Sequence, residues 1–256
     1  MLPVTDTRPK TSTDTPTLVT SHSFGFSRRE WIEVADLLSD QYRTVAIDAP
    51  GYGDARDVPG YSMQEMSEQF AQTINELHLE RFVLVGHSMT GKVMQILASR
   101  MGPELGLSHE PEKLVLITPT PLGREVGGED LRQALIAQDQ NQENGERFVT
   151  DRIGLPLAPA VHARAVEDYL KTNPAAWAAW LNAGIYEDWI DRAAPISVET
   201  LLIAADRDPV WGLDMQRKLT LPHLQNATAT TVDSGHQVPM EAPEQLTTLL
   251  RNFIGT

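Results

Sequence analysis

Short apolar runs alternate with apolar positions at helical spacing through the first half of the chain. Residues 17–22 form an apolar run that ends in a polar turn, the pattern of a buried strand. Ser27 and Glu30 then have the spacing of a capping box, after which Trp31, Val34, Leu37 and Leu38 fall on one helical face. The alternation repeats with a strand over 42–47, a turn over 48–53 and a second capping box at Ser62 and Glu65. That box opens a helix carrying Met63, Met66, Phe70, Ile74 and Leu77. A strand over 82–85, a helix from near Thr90 and a strand over 114–117 follow. From about 121 to 192 the alternation stops, and helical patterns interrupted at Gly127, Gly128, Pro156, Pro159 and Pro174 take its place. Strands resume at 200–204 and 227–232. The last helix starts at Pro243, with Leu246, Leu249, Leu250 and Phe253 on one face and proline tolerated in its first turn.

Apolar strands separated by helices predict a mostly parallel sheet covered on both faces, a doubly wound α/β architecture. The expected division is a mobile leader over 1–16, a core formed by 17–120 and 193–256, and a helical cap inserted at 121–192. With 256 residues and 41% hydrophobic content the chain can bury one sizeable core. The leader lacks the apolar centre of a secretory signal and no later run is long enough to span a bilayer, so a soluble cytoplasmic protein is expected. A formal net charge of -14 repels phosphate backbones and anionic lipid, which argues against nucleic-acid and membrane partners. Cysteine is absent, so disulfides, thiolate nucleophiles and thiolate metal sites are excluded. Neither a metal nor a cofactor is expected, and the oligomeric state stays open.

Three segments carry the candidate chemistry: Gly-His-Ser-Met-Thr-Gly at 86–91, Ala-Asp-Arg-Asp-Pro at 205–209 and Ser-Gly-His at 234–236. A serine hydroxyl is a weak nucleophile unless it stands exposed beside a base, and a sharp strand-to-helix turn achieves this. Ser88 occupies such a turn, with Gly86 relieving crowding before it and Val93, Met94, Ile96 and Leu97 forming an apolar helix after it. His236 follows the last strand, where a loop can present imidazole at the carboxyl edge of the sheet as a general base. Orienting that imidazole requires a carboxylate from the end of another strand. Asp208 and Asp206 both qualify, and Asp208 is preferred. Residues 86–92 also satisfy the phosphate-loop spacing of Gly, four residues and Gly-Lys. Position 93 is Val, however, where a magnesium-binding hydroxyl is required, so Lys92 reads as a solvated residue on a first helical turn.

Taken together, these motifs resemble the α/β-hydrolase superfamily from about residue 18 to residue 253. Gly-His-Ser-Met is similar to its nucleophile elbow, Asp-Arg-Asp-Pro to its acid turn, Gly-His with Glu241 and Pro243 to its histidine loop, and Asp48-Ala-Pro-Gly-Tyr-Gly to its Asp-x-x-Gly-x-Gly loop. The order Ser, Asp, His is the order of that superfamily. The resemblance implies catalysis by Ser88, His236 and Asp208, and backbone amides of Phe24 and Met89 as the oxyanion hole. Ser23 and Thr90 stand where the family usually has glycine, and hydroxyl contacts to substrate are conceivable for both. The resemblance also implies a cap over the pocket. Phe26, Trp177, Trp180 and Trp211 are candidate pocket residues, with core packing as the alternative for each.

The expected activity is cleavage of a small carboxylic ester or lactone through an acyl-enzyme, with a small-molecule acyl substrate as partner. A serine nucleophile argues against the epoxide hydrolases and dehalogenases of the superfamily. Thioesterase, carbon–carbon bond hydrolase, acyltransferase and cofactor-free oxygenase chemistries stay open, as does a small-molecule receptor or carrier on the same scaffold.

Overall fold

The computed structural model describes residues 1–9, 14–124, 129–208 and 211–255. Gly127, Gly128 and Pro209 lie outside the described residues. A seven-stranded sheet contains β1 (Val4–Thr7), β2 (Thr17–Ser21), β3 (Thr44–Ile47), β4 (Phe82–His87), β5 (Lys113–Ile117), β6 (Thr200–Ala205) and β7 (Ala227–Val232). Its order is β1-β3-β2-β4-β5-β6-β7, and every neighbouring pair is parallel except β1 with β3. The central strands are apolar on both faces because helices cover both.

Successive residues of each strand feed opposite layers. Val19, Val45, Leu84, Leu114 and Leu202 join one apolar cluster with Met66, Phe70, Val93 and Met94 from the helices Met63–Glu76 and Met89–Leu97. Leu18, Ala46, Val83, Val115 and Ile203 join the other with Trp31, Val34, Leu38, Leu246 and Leu250. The edge strand β7, Ala-Thr-Ala-Thr-Thr-Val, is half-exposed, in keeping with its threonine content. Helix Met63–Glu76 begins in a complete capping box between Ser62 and Glu65, and helix Pro243–Ile254 carries Pro243 in its first turn.

Five expectations change, the last of them at Lys92. Residues 4–7 are not a mobile leader: Val4 pairs with Ile47 through Thr7 with Thr44, Leu2 is buried, and Arg43 and Arg8 hold the Asp6 carboxyl below the ordinary range despite its partial burial. Such charges also blunt an otherwise open sheet edge. Ser27 caps only a short 3-10 turn by accepting from the Arg29 amide, and Glu30 turns into the interior instead of closing a capping box. Leu37 lies exposed, outside the apolar face of its helix. The strand after that helix starts at Thr44 rather than 42, while the Tyr42 side chain still packs in the core.

Between β5 and β6 the chain forms helices Glu129–Ala137, Gln142–Thr150, Pro159–Lys171 and Pro174–Asn182 over the carboxyl edge of the sheet. Polar and charged groups fasten this helical segment to the stretch after β2 and the helix that follows it: Ser27 Oγ donates to Asp168 Oδ2 at 2.7 Å, Arg29 pairs with Asp168 and Glu167, and Arg164 pairs with Glu33 at 2.6 Å. Lys92 is fully buried, not solvated. Its ammonium reaches the carbonyls of Gly123, at 3.2 Å, and Glu187, one at each foot of the cap.

Removing that ammonium while keeping chain length leaves buried carbonyls without their donor. Lys92→Met should therefore lower stability by about 1–3 kcal/mol in urea denaturation. It should also speed proteolytic cleavage within residues 121–192. Wild-type stability and cleavage rates would show that Lys92 does not tether the cap.

Candidate active site

The turn after β4 is built by close backbone approach. Ser88 adopts φ 51° and ψ -113° and is followed directly by helix Met89–Leu97. A Cβ on Gly86 would stand 2.7 Å from Gly91 Cα, and one on Gly91 would stand 2.8 Å from Pro119 Cβ. The close contact that demands glycine thus falls on Gly91, which leaves Thr90 free to carry a side chain. The Thr90 hydroxyl donates to the His22 carbonyl at 2.9 Å and is buried, tying the turn to the loop after β2. Ser88 N–H donates to Ile117 O and Thr120 N–H donates to Ser88 O, both at 3.0 Å.

Loops from β6 and β7 bring two more groups to this turn. His236 Nε2 lies 2.9 Å from Ser88 Oγ, and its Nδ1 lies 2.6 Å from Asp208 Oδ2. With Nδ1–H donated to the carboxylate, Nε2 faces the serine hydroxyl as an acceptor. Asp208 is buried and its Oδ1 also accepts the Trp211 amide at 3.0 Å; Asp206 is exposed and points no carboxylate at the imidazole. Across the turn, the amides of Phe24 and Met89 donate to no acceptor among the described residues.

The remaining candidates distribute between support and core. Ser23 is buried and its hydroxyl lies 2.9 Å from Glu30 Oε2 and 3.2 Å from Gln237 Oε1, so it faces the protein interior rather than a ligand. Phe26 is fully buried beneath Phe148 with ring centroids 5.6 Å apart. Trp177 packs on Phe24 at 4.3 Å between centroids and Trp180 approaches the same ring at 6.2 Å, so both close over the loop that carries the Phe24 amide. Trp211 is buried and meets Asp208 through its backbone. Ser88 itself is only 7% exposed, which makes this a closed site.

Further groups position it that periodicity alone does not reveal. His87 Nδ1 lies 2.6 Å from Glu30 Oε1, and His87 Nε2 donates to the His236 carbonyl at 2.8 Å. Burial pushes the Glu30 carboxyl up, but the His87 charge and hydrogen bond, with His22 and the Ser23 amide, outweigh it and hold it below the usual range. Glu241 accepts the amides of Gly154 and Leu155 at 2.7 Å and of Gly235 and Gln237 at 2.9 Å. The His236 amide donates to Arg152 O at 3.0 Å. Gly154 and Gly235 meet so closely that a Cβ on Gly235 would stand 2.1 Å from Gly154 N. Arg152 is partly exposed, its guanidinium 3.6 Å from the Phe148 ring centroid, and burial lowers its pKa to about 10. Among the described residues no cluster of three or more His, Asp or Glu side chains is arranged to hold a metal ion, and no helix is long and apolar enough to cross a membrane.

Residues 18–248 match the model of the Alpha/beta hydrolase family. The chain belongs to the alpha/beta hydrolase family. A protein of Haemophilus influenzae carrying an esterase/lipase name is 25% identical over 256 residues, covering 96% of this chain and 85% of its own. The 3-oxoadipate enol-lactonase 1 of Acinetobacter baylyi is 22% identical, covering 93% and 88% respectively. The crystal structure of the enol-lactonase from Burkholderia xenovorans LB400 superposes with a TM-score of 0.82 at 20% identity, over 100% of this chain and 96% of that one. That likeness shows the fold. The relatives' names support hydrolase activity as the general class of this alpha/beta hydrolase.

The buried Glu30–His87 pair gives a test that separates it from surface charge. Replacing one member of a buried hydrogen-bonded pair costs on the order of 3–5 kcal/mol. Glu30→Gln should lower neutral-pH stability on that scale. Because the native Glu30 carboxyl titrates below its unfolded value, its stabilisation is present above the ordinary carboxylate range and is lost as pH falls through the native value. The stability gap between wild type and Glu30→Gln, read by denaturation across pH 7 down to about 3, should therefore narrow on acidification. A gap that stays constant or widens contradicts the assignment.

Proposed function

We propose that this protein hydrolyses a small carboxylic ester or lactone through an acyl-enzyme formed on Ser88. The observation that carries the reading is the continuous chain from Ser88 Oγ to His236 Nε2 at 2.9 Å and from His236 Nδ1 to Asp208 at 2.6 Å. In this reading Ser88 Oγ attacks the substrate carbonyl while its proton passes to His236 Nε2. The tetrahedral oxyanion is met by the amides of Phe24 and Met89, which have no competing acceptor among the described residues. Collapse expels the leaving alcohol, protonated by His236, and leaves the acyl group on Ser88. Water, deprotonated by His236, then releases the acid and returns the hydroxyl. Asp208 holds the imidazole tautomer and stabilises its charged form throughout. Esterase/lipase and enol-lactonase names among the relatives favour an acyl–oxygen bond over the other chemistries open to the scaffold.

Ser88→Ala should reduce turnover of short p-nitrophenyl esters by about 10⁴ to 10⁶-fold with folding intact. A fluorophosphonate should label Ser88 and no other residue by mass spectrometry. Asp208→Asn should cost about 10⁴-fold and Asp206→Asn little. A labelled residue elsewhere, or the reverse order of the two aspartates, would remove this mechanism.

A further inference from the structure

We infer that Arg152 is a recognition residue for a carboxylate carried by the substrate beyond its scissile ester, so that the preferred substrates are anionic esters or lactones. This rests on the proposed acyl-transfer reading and names the substrate class for that same site. Three observations place the guanidinium there. The Arg152 carbonyl accepts the His236 amide at 3.0 Å, which fixes this end of helix Gln142–Thr150 beside the catalytic histidine. The guanidinium lies over the Phe148 ring, with 3.6 Å from Cζ to the centroid, and Phe148 in turn packs edge-on against Phe24, whose amide faces the expected oxyanion. Asp208 is near enough to act on the Arg152 charge electrostatically, together with Asp151 and Tyr169.

The protein partners of the guanidinium are few. An arginine presents five N–H donors. Among the described residues, Arg152 donates only from Nη1, to the Phe148 carbonyl at 3.0 Å, and it forms no ion pair within salt-bridge distance of a carboxylate. The other arginines that fasten the cap, Arg29 and Arg164, each close on a carboxylate. Arg152 is partly exposed, and burial opposes its charge. A partly exposed guanidinium stacked on an aromatic face, with donors still accessible, suits a planar, bidentate carboxylate. The protein as a whole carries a net charge of -14 and repels anions at long range. A local cation next to the reacting centre is what an anionic substrate needs in such a field.

The test compares p-nitrophenyl monoesters of adipic and pimelic acid with the neutral p-nitrophenyl hexanoate and heptanoate, each corrected for spontaneous hydrolysis. For the wild-type protein, kcat/KM for the anionic esters should exceed that for the neutral ones by about 10 to 100-fold, the scale of a charge-assisted hydrogen bond. Added salt should erode the preference. Arg152→Gln should collapse the anionic-to-neutral ratio toward one, chiefly through KM, and Arg152→Lys should restore part of it. Equal wild-type rates on both ester types would overturn the inference, and this arm does not depend on any variant folding. Loss of the same factor on both ester types in Arg152→Gln would also overturn it, since the guanidinium would then act on the Asp208–His236 pair. Failure of the underlying reading looks different: no ester of either charge is turned over and Ser88 takes no fluorophosphonate.

Discussion

A serine held at φ 51° and ψ -113° is unfavourable for an L-residue by about 1–3 kcal/mol. The architecture at the carboxyl edge of the sheet is arranged around keeping it there. β4 lies between β2 and β5, so the turn that follows it is flanked on both sides by other strand ends. Ile117 and Thr120 grip the Ser88 backbone from the β5 side. Thr90 grips the loop after β2 through the His22 carbonyl, and His22 is itself fixed by the Ser23 carbonyl and the Ala49 amide. Only because the backbone approaches so closely at Gly86 and Gly91 can the hydroxyl project toward the loops that end β6 and β7. The strain and the convergence of groups are therefore two sides of one packing arrangement.

Cap and histidine loop share that dependence. Glu241 gathers two amides from the cap and two from the histidine loop, while Arg152 receives the His236 amide itself. A displacement of residues 152–155 would strip donors from the same carboxylate that shapes the loop around His236. The imidazole is thus held from the sheet by Asp208, from the cap by Arg152 and from beneath by His87, whose Nε2 donates to the His236 carbonyl. Such redundancy fixes the orientation of the ring, the condition that the proposed proton transfer sets.

The order of the central strands and the helices was readable because β2 to β6 bury both faces, so their apolar runs are continuous, and because Ser62 with Glu65 and Pro243 mark helix starts by local chemistry. The elbow was readable from the glycines its close approaches demand. What local pattern misread were residues whose partners lie far away in sequence. Glu30 has the spacing of a capping box, yet its partner is His87, 57 positions on. Lys92 looked solvated because its acceptors, Gly123 and Glu187, belong to the cap feet. Residues 1–16 are polar enough to read as a tail, yet four of them form the edge strand β1 against β3. Ser23 departs from the family's usual glycine, and its hydroxyl answers Glu30; a Ser–Glu pair at that spacing is the one signal that could have linked them.

The aromatic enclosure gives these buried charges their physical meaning. Phe24, Phe148, Tyr169, Trp177 and Trp180 pack ring on ring above the turn, and Tyr52 closes against His22 and Phe24. Burial among these rings lowers the local dielectric, which strengthens the hydrogen bonds and charges within. It also makes an unmatched charge costly. Glu30 meets that cost with His87 and two Ser23 donors. Asp208 meets it with His236 and the Trp211 amide. The backbone amides of Phe24 and Met89 find no acceptor among the described residues. Under the proposed reading, a group that develops negative charge only during reaction is what these two amides answer best.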